Sequence, residues 1–306
     1  MTTLQAHGPT VLHDGAIDAS PPPGGGDRQP LQVGLSQVLL ALSLVLGWLL
    51  LYILVLSGLE QGHAQSSLYE RLRTELALGT APTGAPIAAG APVALLSIPG
   101  AGVEDTVVVE GTRAVQLQDG PGHVLGSVLP GQRGVSVIAG RSLTFGGPFG
   151  TIAELPAGAP ITVTTAQGTF VYEVTGARLR GDPVPPPPAT DGSRLTLVTA
   201  IRGAGLGGLQ AGETVYVDAD LTGDAADPGA VATADIGTKL MSAKFDTTSL
   251  ALLALGLQLL VGSLAAFVWA WNRWSRAAAW IAGGPCVLAA LWLVSSLGSR
   301  LLPALI

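Results

Sequence analysis

Three long runs without a charged side chain constrain this 306-residue chain more than any other feature. They extend from Gln29 to Leu59, from Thr247 to Asn272 and from Ala277 to Ser299. A helix needs roughly 20 apolar residues to cross a hydrocarbon core of about 30 Å, and each run is long enough. Only 12% of all residues are charged and 48% are hydrophobic, which is unlike an ordinary soluble enzyme. We therefore predict transmembrane helices at 31–59, 247–272 and 277–300.

Basic residues predict how these helices are oriented. Arg273 and Arg276 lie in the short loop between the second and third runs, which contains no acidic residue. The positive-inside rule places such a loop in the cytoplasm. The first run starts too late and is too long for a cleaved signal peptide. We therefore expect a multi-pass protein of the cell membrane, with a cytoplasmic N-terminus and with residues 60–246 outside.

The remaining segments differ in composition. Residues 1–30 contain a run of three prolines and three glycines without apolar periodicity, which predicts a disordered cytoplasmic tail. Residues 60–92 read as a stalk helix over Ser66–Leu78, where leucines recur at helical spacing, followed by a linker rich in Ala, Pro and Gly. Residues 223–246 read as a linker, or neck, before the second apolar run.

Residues 93–222 have the two-residue period of strands. Seven short β-rich runs are separated by clusters of glycine and proline, with little helix between them. This pattern predicts a mainly β domain that forms a closed or nearly closed barrel outside the membrane. The predicted strands are Val93–Ile98, Thr106–Glu110, Ser136–Ala139, Pro160–Thr165, Thr169–Val174, Arg194–Thr199 and Glu213–Asp218.

Charge and residue clusters argue against several kinds of partner. The net charge of −6 and the absence of a basic cluster argue against nucleic acid. No group of Cys, His or acidic residues has metal-ligand spacing, and the glycines form no phosphate-binding loop, so we predict neither a metal nor a cofactor. Cys286, the only cysteine, lies within the third apolar run and is badly placed to act as a nucleophile in water.

Several short motifs follow one another in an order typical of one family. In chain order these motifs are VEGT (109–112), Leu117 with GPGH (120–123), LPGQ (129–132), VIAG (137–140), TFGGPF (144–149) and LTLVTA (195–200). With these motifs, the chain over about residues 93–221 resembles the sortases, thiol transpeptidases of Gram-positive cell surfaces, and most closely their class E.

The resemblance implies a mechanism whose residues this chain has replaced. A sortase cysteine attacks the Thr–Gly carbonyl of an LPXTG-like signal, a histidine handles the leaving-group proton, and an arginine stabilises the oxyanion. The cysteine position is Ala200 and the histidine position is Arg141, while the arginine falls near Thr214. Alanine cannot be a nucleophile, and Arg141 stays protonated and cannot shuttle protons. The resemblance thus implies a sortase barrel with degenerate catalytic positions.

Four other side chains are candidate groove residues. Arg202 is either a displaced oxyanion donor or a solvent-facing loop arginine. His123 belongs to the GPGH motif, where the family has a histidine other than the catalytic one, and a structural hydrogen bond in a turn is the simpler interpretation. Thr199 and Ser142 carry hydroxyls, but no general base is evident beside either in the sequence.

Three functional hypotheses remain open at this level. The first is a catalytically inactive sortase-like membrane protein whose barrel binds or assembles other membrane or cell-surface proteins. The second is a transpeptidase or hydrolase of altered chemistry that uses a residue other than cysteine. The third is a receptor whose groove captures a sorting-signal-like peptide without cutting it, since strand-edge hydrogen bonds and apolar pockets do not require the cysteine.

Overall fold

The structure, a computed structural model, describes residues 43–201, 212–232, 247–273 and 275–299. By its contacts the chain divides at Gly47, and the second unit, Trp48–Ile306, contains the elements discussed below. The predicted tail 1–30, Arg202 and most of the predicted neck lie outside the described residues.

Eight strands close into one barrel, which confirms the predicted mainly β, closed-barrel architecture. Their order around the barrel is β1-β2-β3-β4-β7-β8-β6-β5. The strand that sequence analysis missed, β3, has only two residues, too few for an alternating pattern to be visible. The strands are β1 (Pro92–Ile98), β2 (Val103–Glu110), β3 (Gly122–His123), β4 (Gly134–Ala139), β5 (Pro160–Thr165), β6 (Gly168–Leu179), β7 (Ser193–Ala200) and β8 (Thr214–Leu221).

Apolar side chains from alternate strand positions fill the barrel. Leu195 and Leu197 of β7 point into this core, as does Val217 of β8. Tyr172 of β6 is also fully buried, and its hydroxyl accepts the Gly131 N–H at 2.6 Å and lies 2.9 Å from the Ser193 hydroxyl. Since successive side chains of a strand point to opposite faces, the residues between these core positions face outward.

A parallel pair of strands positions the candidate site. Strand β4 lies parallel to β7, with Gly134 opposite Ser193 and Ala139 opposite Val198. The register continues past the end of β4, because the Gly140 N–H donates to the Val198 carbonyl at 2.9 Å and the Thr199 hydroxyl donates to the Gly140 carbonyl at 3.1 Å. The residues that follow β4 therefore lie beside the last residues of β7.

The helix predicted over Ser66–Leu78 begins earlier in the structure than the sequence indicated. Within the second unit, residues 48–51 are already helical, a π-helical turn follows at Tyr52–Leu56, and helix α1 continues over Ser57–Ala77. No proline interrupts the chain between the apolar run and the leucine pattern, so the helix has no reason to break there. The helical spacing of apolar residues is not visible in the first part of α1, because polar side chains, Gln61 and Gln65 among them, face the barrel there.

Two apolar helices follow the barrel. Helix α3 (Thr247–Arg273) packs against α4 (Arg276–Ser299). A one-turn helix, α2 (Gln116–Asp119), lies earlier in the chain, between β2 and β3. In the described part of the chain, α3 and α4 are the two helices long and apolar enough to cross a membrane. The first predicted span, 31–59, lies partly outside the described residues.

Candidate functional site

Ala200, Arg141 and Thr214, the three positions that the resemblance implies are degenerate catalytic ones, lie together at one end of the barrel. Ala200 is the last residue of β7 and pairs directly with Thr214, the first residue of β8. On the other side of β7, the register of β4 extended by two residues past Ala139 brings Arg141 opposite Ala200. Strand pairing alone therefore gathers three residues that are widely separated in sequence.

Ala200 belongs to the outer face of the barrel wall, and that face is covered. Because Leu195 and Leu197 point inward, Val198 and Ala200 point outward. There they form a small apolar cluster with Ala139 and with Leu117 of α2, and Ala200 is only 6% exposed. The described residues thus close the place where an open groove was expected.

Arg141 is buried within this site and is held by backbone oxygens. Only 1% of the residue is exposed. Its Nε donates to the Leu117 carbonyl at 3.0 Å, Nη2 donates to the Ala114 carbonyl at 3.1 Å, and Nη1 donates to the Thr144 hydroxyl at 3.0 Å. The guanidinium carbon also lies 4.9 Å from the centre of the Phe145 ring. These contacts use the planar set of donors that distinguishes arginine from histidine.

Burial lowers the pKa of Arg141 to about 10, because desolvation disfavours the charged form. That value remains far above neutral pH, so the guanidinium is charged under ordinary conditions. A group that keeps its proton at neutral pH cannot accept and return one during a reaction. At this position the chain therefore has a fixed positive charge instead of a proton carrier.

The loop after Arg141 is shaped by residues in the left-handed region. Phe145, Gly146 and Gly147 all have positive φ, at 51°, 72° and 51°. For Phe145 this conformation is unfavourable, and the surroundings hold it in place: its ring is buried, and its N–H donates to the Ser57 hydroxyl of α1 at 3.1 Å. Gly146 lies directly under Gln61 of the same helix. Ser142 is buried at the start of this loop.

Two candidate groove residues lie on the opposite side of the wall. Thr199 follows Leu197 by two residues and pairs with Val215, both of them core residues, so it faces the interior. His123 pairs with the core residue Ile138 and also faces inward. Neither side chain therefore shares the outer face with Ala200. The sequence places both residues near the site, but it does not show to which face of the barrel wall each side chain points.

His123 belongs to a Ser-His-Glu arrangement that sequence analysis missed. Its Nδ1 lies 2.8 Å from a carboxylate oxygen of Glu110, and its Nε2 lies 3.0 Å from the Ser127 hydroxyl. These distances match those of a nucleophile, a base and an orienting acid. The spacing in sequence gave no sign of this arrangement, because β2, β3 and the following turn each supply one member.

The hydrogen bonds of His123 and Ser127 are not directed as catalysis by this arrangement would require. His123 Nε2 lies 2.9 Å from the Val128 carbonyl, which can only accept, so Nε2 carries a hydrogen and cannot take one from Ser127. The Ser127 hydroxyl donates to the Val124 carbonyl at 2.8 Å and accepts the Val137 N–H at 3.2 Å. The arrangement is therefore a structural link between β2, β3 and β4.

A second polar group lines the outer face of β7 and β8. Asp218 accepts from the Thr196 hydroxyl at 2.6 Å and from Arg178 Nε at 2.7 Å. Arg178 in turn lies 4.4 Å from the ring centre of Tyr216, which packs beside the Ala200 cluster. This network lines the outer face beside the Ala200 cluster with mutually satisfied polar groups.

The described residues contain no group of three or more His, Cys, Asp or Glu side chains suited to hold a metal ion. Cys286 lies on α4, remote in sequence from the barrel, and is exposed on the helix surface. Neither feature contributes a chemical group to the site at the end of β7.

Residues 96–201 match the family model of the sortase domain. Similar solved structures include a sortase D5 transpeptidase of Clostridium perfringens, 24% identical over 53% of this chain and 99% of that one, with a TM-score of 0.43. A sortase of Actinomyces oris is 26% identical over 47% of this chain and 87% of its own, with a TM-score of 0.38. Sortase E1 of Streptomyces coelicolor, solved with a tripeptide in its active site, is 24% identical over 45% and 91%, with a TM-score of 0.36. No curated protein matches the chain.

Proposed function

Residues 96–201 belong to the sortase family, and we propose that this protein is a catalytically inactive member whose barrel serves as a binding or assembly subunit at the cell envelope. The observation that carries the proposal is Ala200 at the end of β7, beside Arg141 and Thr214. A methyl group cannot form an acyl-enzyme, and no cysteine occurs anywhere in the barrel. Position 141 lacks a proton carrier, and position 214 lacks the arginine that would stabilise an oxyanion.

Burial of the site supports the same proposal. Leu117 packs where a reacting peptide carbonyl would have to approach Ala200. Arg141 is engaged by the carbonyls of Ala114 and Leu117, so its donors point at the protein itself. A receptor that captured a sorting-signal-like peptide would need this face open. We therefore place that alternative below an assembly role.

The altered-chemistry alternative depends on finding a nucleophile beside a base. Ser127 and His123 are the described residues that come nearest to this requirement, and the Val128 carbonyl keeps Nε2 of His123 from acting as a base. Thr199 donates its hydroxyl to the Gly140 carbonyl and faces the barrel interior. Nothing at these residues favours a hydrolase or transpeptidase over an inactive barrel.

The membrane part supports a multi-pass subunit of the cell membrane. Ser299 ends α4 beside the barrel residue Gln118, so the turn between α3 and α4 lies at the far end of this helix pair. Trp48 donates to the Ser295 hydroxyl at 3.0 Å, and the Tyr52 ring meets Trp292 edge-on at 5.8 Å. The helix that leads into α1 therefore packs along α4. We propose that it is a third span, with the barrel outside.

The first experiment measures turnover by the full-length protein in detergent with an LPXTG-type peptide and an acceptor amine. We expect cleavage and transfer no faster than in a control without protein, while an active sortase in the same detergent reacts. Turnover above that control would overturn the claim of inactivity.

The second experiment tests the assembly role. The full-length chain and a variant truncated after residue 246 are purified from membranes in mild detergent. We expect specific partners to accompany the full chain and to be lost from the truncated one, because α3 and α4 offer the lateral packing surface. A full-length protein that purifies alone from crosslinked membranes would contradict this role.

A further inference from the structure

A short segment of the chain covers the face that carries Ala200, and helices on the membrane side hold this segment in place. We propose that residues 112–120, here named the cap, are latched shut by α1 and α4, so that access to the degenerate site depends on how the membrane helices pack against the barrel. The inference goes beyond the proposed function, since it concerns access to the site and not its chemistry.

The cap closes the site through one apolar side chain. Leu117 projects from the single turn of α2 and is 1% exposed. It packs with Val198 and Ala200 of β7 and with Ala139 of β4. A helix of one turn has no stability of its own, because forming a first turn is unfavourable. Contacts with other parts of the protein must therefore hold Leu117 in position.

The first of these contacts comes from the barrel. Arg141 donates to the carbonyls of Ala114 and Leu117, which belong to the residues leading into and forming α2. The guanidinium can bind both carbonyls at once because its donors lie in one plane and point in different directions. An imidazole at the same position has two ring nitrogens and a shorter reach. The substitution that removes the proton carrier thus also supplies the clamp.

The second contact comes from α1. Gln65 Nε2 donates to the Asp119 carbonyl of the cap at 2.7 Å and to the Val107 carbonyl of β2 at 3.0 Å. Its Oε1 accepts the Val107 N–H at 2.7 Å. One amide side chain therefore ties the helix to the barrel strand and to the end of the cap. Gly120, which follows the cap helix, leaves the room that this amide occupies.

The third contact comes from α4. Gln118 Nε2, on the cap itself, donates to the hydroxyl of Ser299 at 3.1 Å, and both residues are buried. Ser299 is the last residue of α4, which is long and apolar enough to cross a membrane. A shift of either helix relative to the barrel removes a bond from the cap, while the hydrogen bonds between barrel strands remain. The cap is thus the part of the site that responds to the membrane helices.

Thiol labelling of the full-length protein in detergent tests the proposal. In a Cys286→Ser background, Ala200→Cys places the only thiol under the cap, and Val184→Cys places one on an exposed loop, where Val184 is 76% exposed. We expect the thiol at position 200 to react with a maleimide at least about tenfold more slowly, because labelling requires local opening. Gln65→Ala, Ser299→Ala and Arg141→Ala should each accelerate labelling at 200 severalfold and leave labelling at 184 unchanged.

Two features make the result specific to the cap. Ser263→Ala is the matched control, since among the described residues the Ser263 hydroxyl donates to the Leu260 carbonyl within α3, and it should change neither rate. Removing the positive charge of Arg141 would by itself raise the pKa of a neighbouring thiol and slow its reaction. An acceleration in Arg141→Ala is therefore explained by opening and not by electrostatics.

Several outcomes would overturn the proposal. Equal rates at positions 200 and 184 in the parent protein would mean that no cap exists. Acceleration by Arg141→Ala alone, with Gln65→Ala and Ser299→Ala without effect, would mean that the membrane helices do not latch it. Should Gln65→Ala fail to fold, Gln118→Ala removes the α4 bond and leaves the pairing of α1 with β2 intact, and an unchanged rate there would refute the link to α4. None of these results depends on whether the protein is an enzyme.

Discussion

At position 141 one side chain has two consequences. The arginine ends any role in proton transfer, and its donors fasten the segment that contains Ala114 and Leu117 over the neighbouring strand. At position 200 the methyl group of alanine packs against Leu117. The two side chains are therefore complementary, because the small apolar group and the long polar one both contact the segment around Leu117.

Restoring the thiol alone should not restore activity. We expect Ala200→Cys to be inert with a sorting-signal peptide, since Arg141 cannot protonate the leaving amine and Leu117 covers the thiol. Adding Arg141→His supplies a proton carrier and removes the clamp, but Thr214 supplies no oxyanion donor, whose loss commonly reduces rates by about 10²–10³. Mass spectrometry should then detect a slowly formed thioester with little turnover. Rapid transpeptidation by Ala200→Cys alone would contradict both the cap and the inactive site.

The charge of Arg141 gives its contribution to stability a defined pH dependence. Because burial lowers its pKa to about 10, the folded state releases this proton at lower pH than the unfolded state does. The unfavourable burial of the charge is fully present below that pH and declines as pH rises through it. The difference in thermal stability between the wild type and Arg141→Met should therefore stay constant between about pH 6 and pH 8. A difference that changes within this range would show that another group is coupled to Arg141.

The pair His123–Glu110 should matter for stability and not for chemistry. Both side chains are buried, and His123→Ala leaves the Glu110 carboxyl oxygen without its hydrogen-bond partner, which costs about 1–3 kcal/mol for a buried polar group. Arg133→Ala is the control, because its pair with Asp227 is exposed and should contribute about 1 kcal/mol or less. Chemical unfolding of both variants measures the difference. A near-neutral His123→Ala would mean that the pair does not hold β2 and β3 together.

At the level of elements, α1 is part of the barrel's support and not a free stalk. Its Ser57, Gln61 and Gln65 successively meet the loop after β4, and then β2 and the cap. Helix propensity accounts for the helix, but these three polar contacts account for its position. An exposed linker helix would have no reason to present this row of side chains to Phe145 and Gly146, the two residues of the loop that begin its run of positive φ.

The close approach of α1 to Gly146 can be tested with two glycine variants. Gly146→Ala requires an alanine at positive φ and places its Cβ against Gln61, so we expect a loss of about 1–3 kcal/mol. Gly62→Ala, one residue after Gln61, meets open space and lies within the helix, so it should stabilise the protein by up to about 1 kcal/mol. Thermal unfolding in the same detergent compares them. Equal effects would mean that α1 does not pack against this loop.

At the scale of the whole molecule, the barrel and the helices form one connected unit. The end of α4 contacts the cap, and the helix leading into α1 packs along α4. This arrangement differs from a barrel tethered by a flexible stalk, because single side chains, Gln65 and Gln118, connect the helices directly to the cap. This connection supports the proposed assembly role.

Cysteine accessibility in intact cells tests the proposed topology. In the Cys286→Ser background, a membrane-impermeant thiol reagent should label Val184→Cys, on the loop between β6 and β7, without permeabilisation. Ser275→Cys, in the turn between α3 and α4, should be labelled only after permeabilisation, since the adjacent Arg273 and Arg276 favour the cytoplasm. Labelling of both sites in intact cells would rule out α3 and α4 as a membrane-crossing pair with that orientation.

Sequence alone determined the barrel, most of its strands and the absence of a nucleophile at Ala200. Strand periodicity, glycine and proline spacing and side-chain identity are all local properties, and they can be read without knowing which segments meet. Only the tertiary structure decided that Leu117 covers Ala200, that His123 and Thr199 face inward, and that Gln65, Gln118 and Ser299 connect the cap to the helices. These contacts join residues far apart in the chain through single side chains. Such contacts leave no periodic signal, because they depend on which face and which end of each element the folded barrel presents.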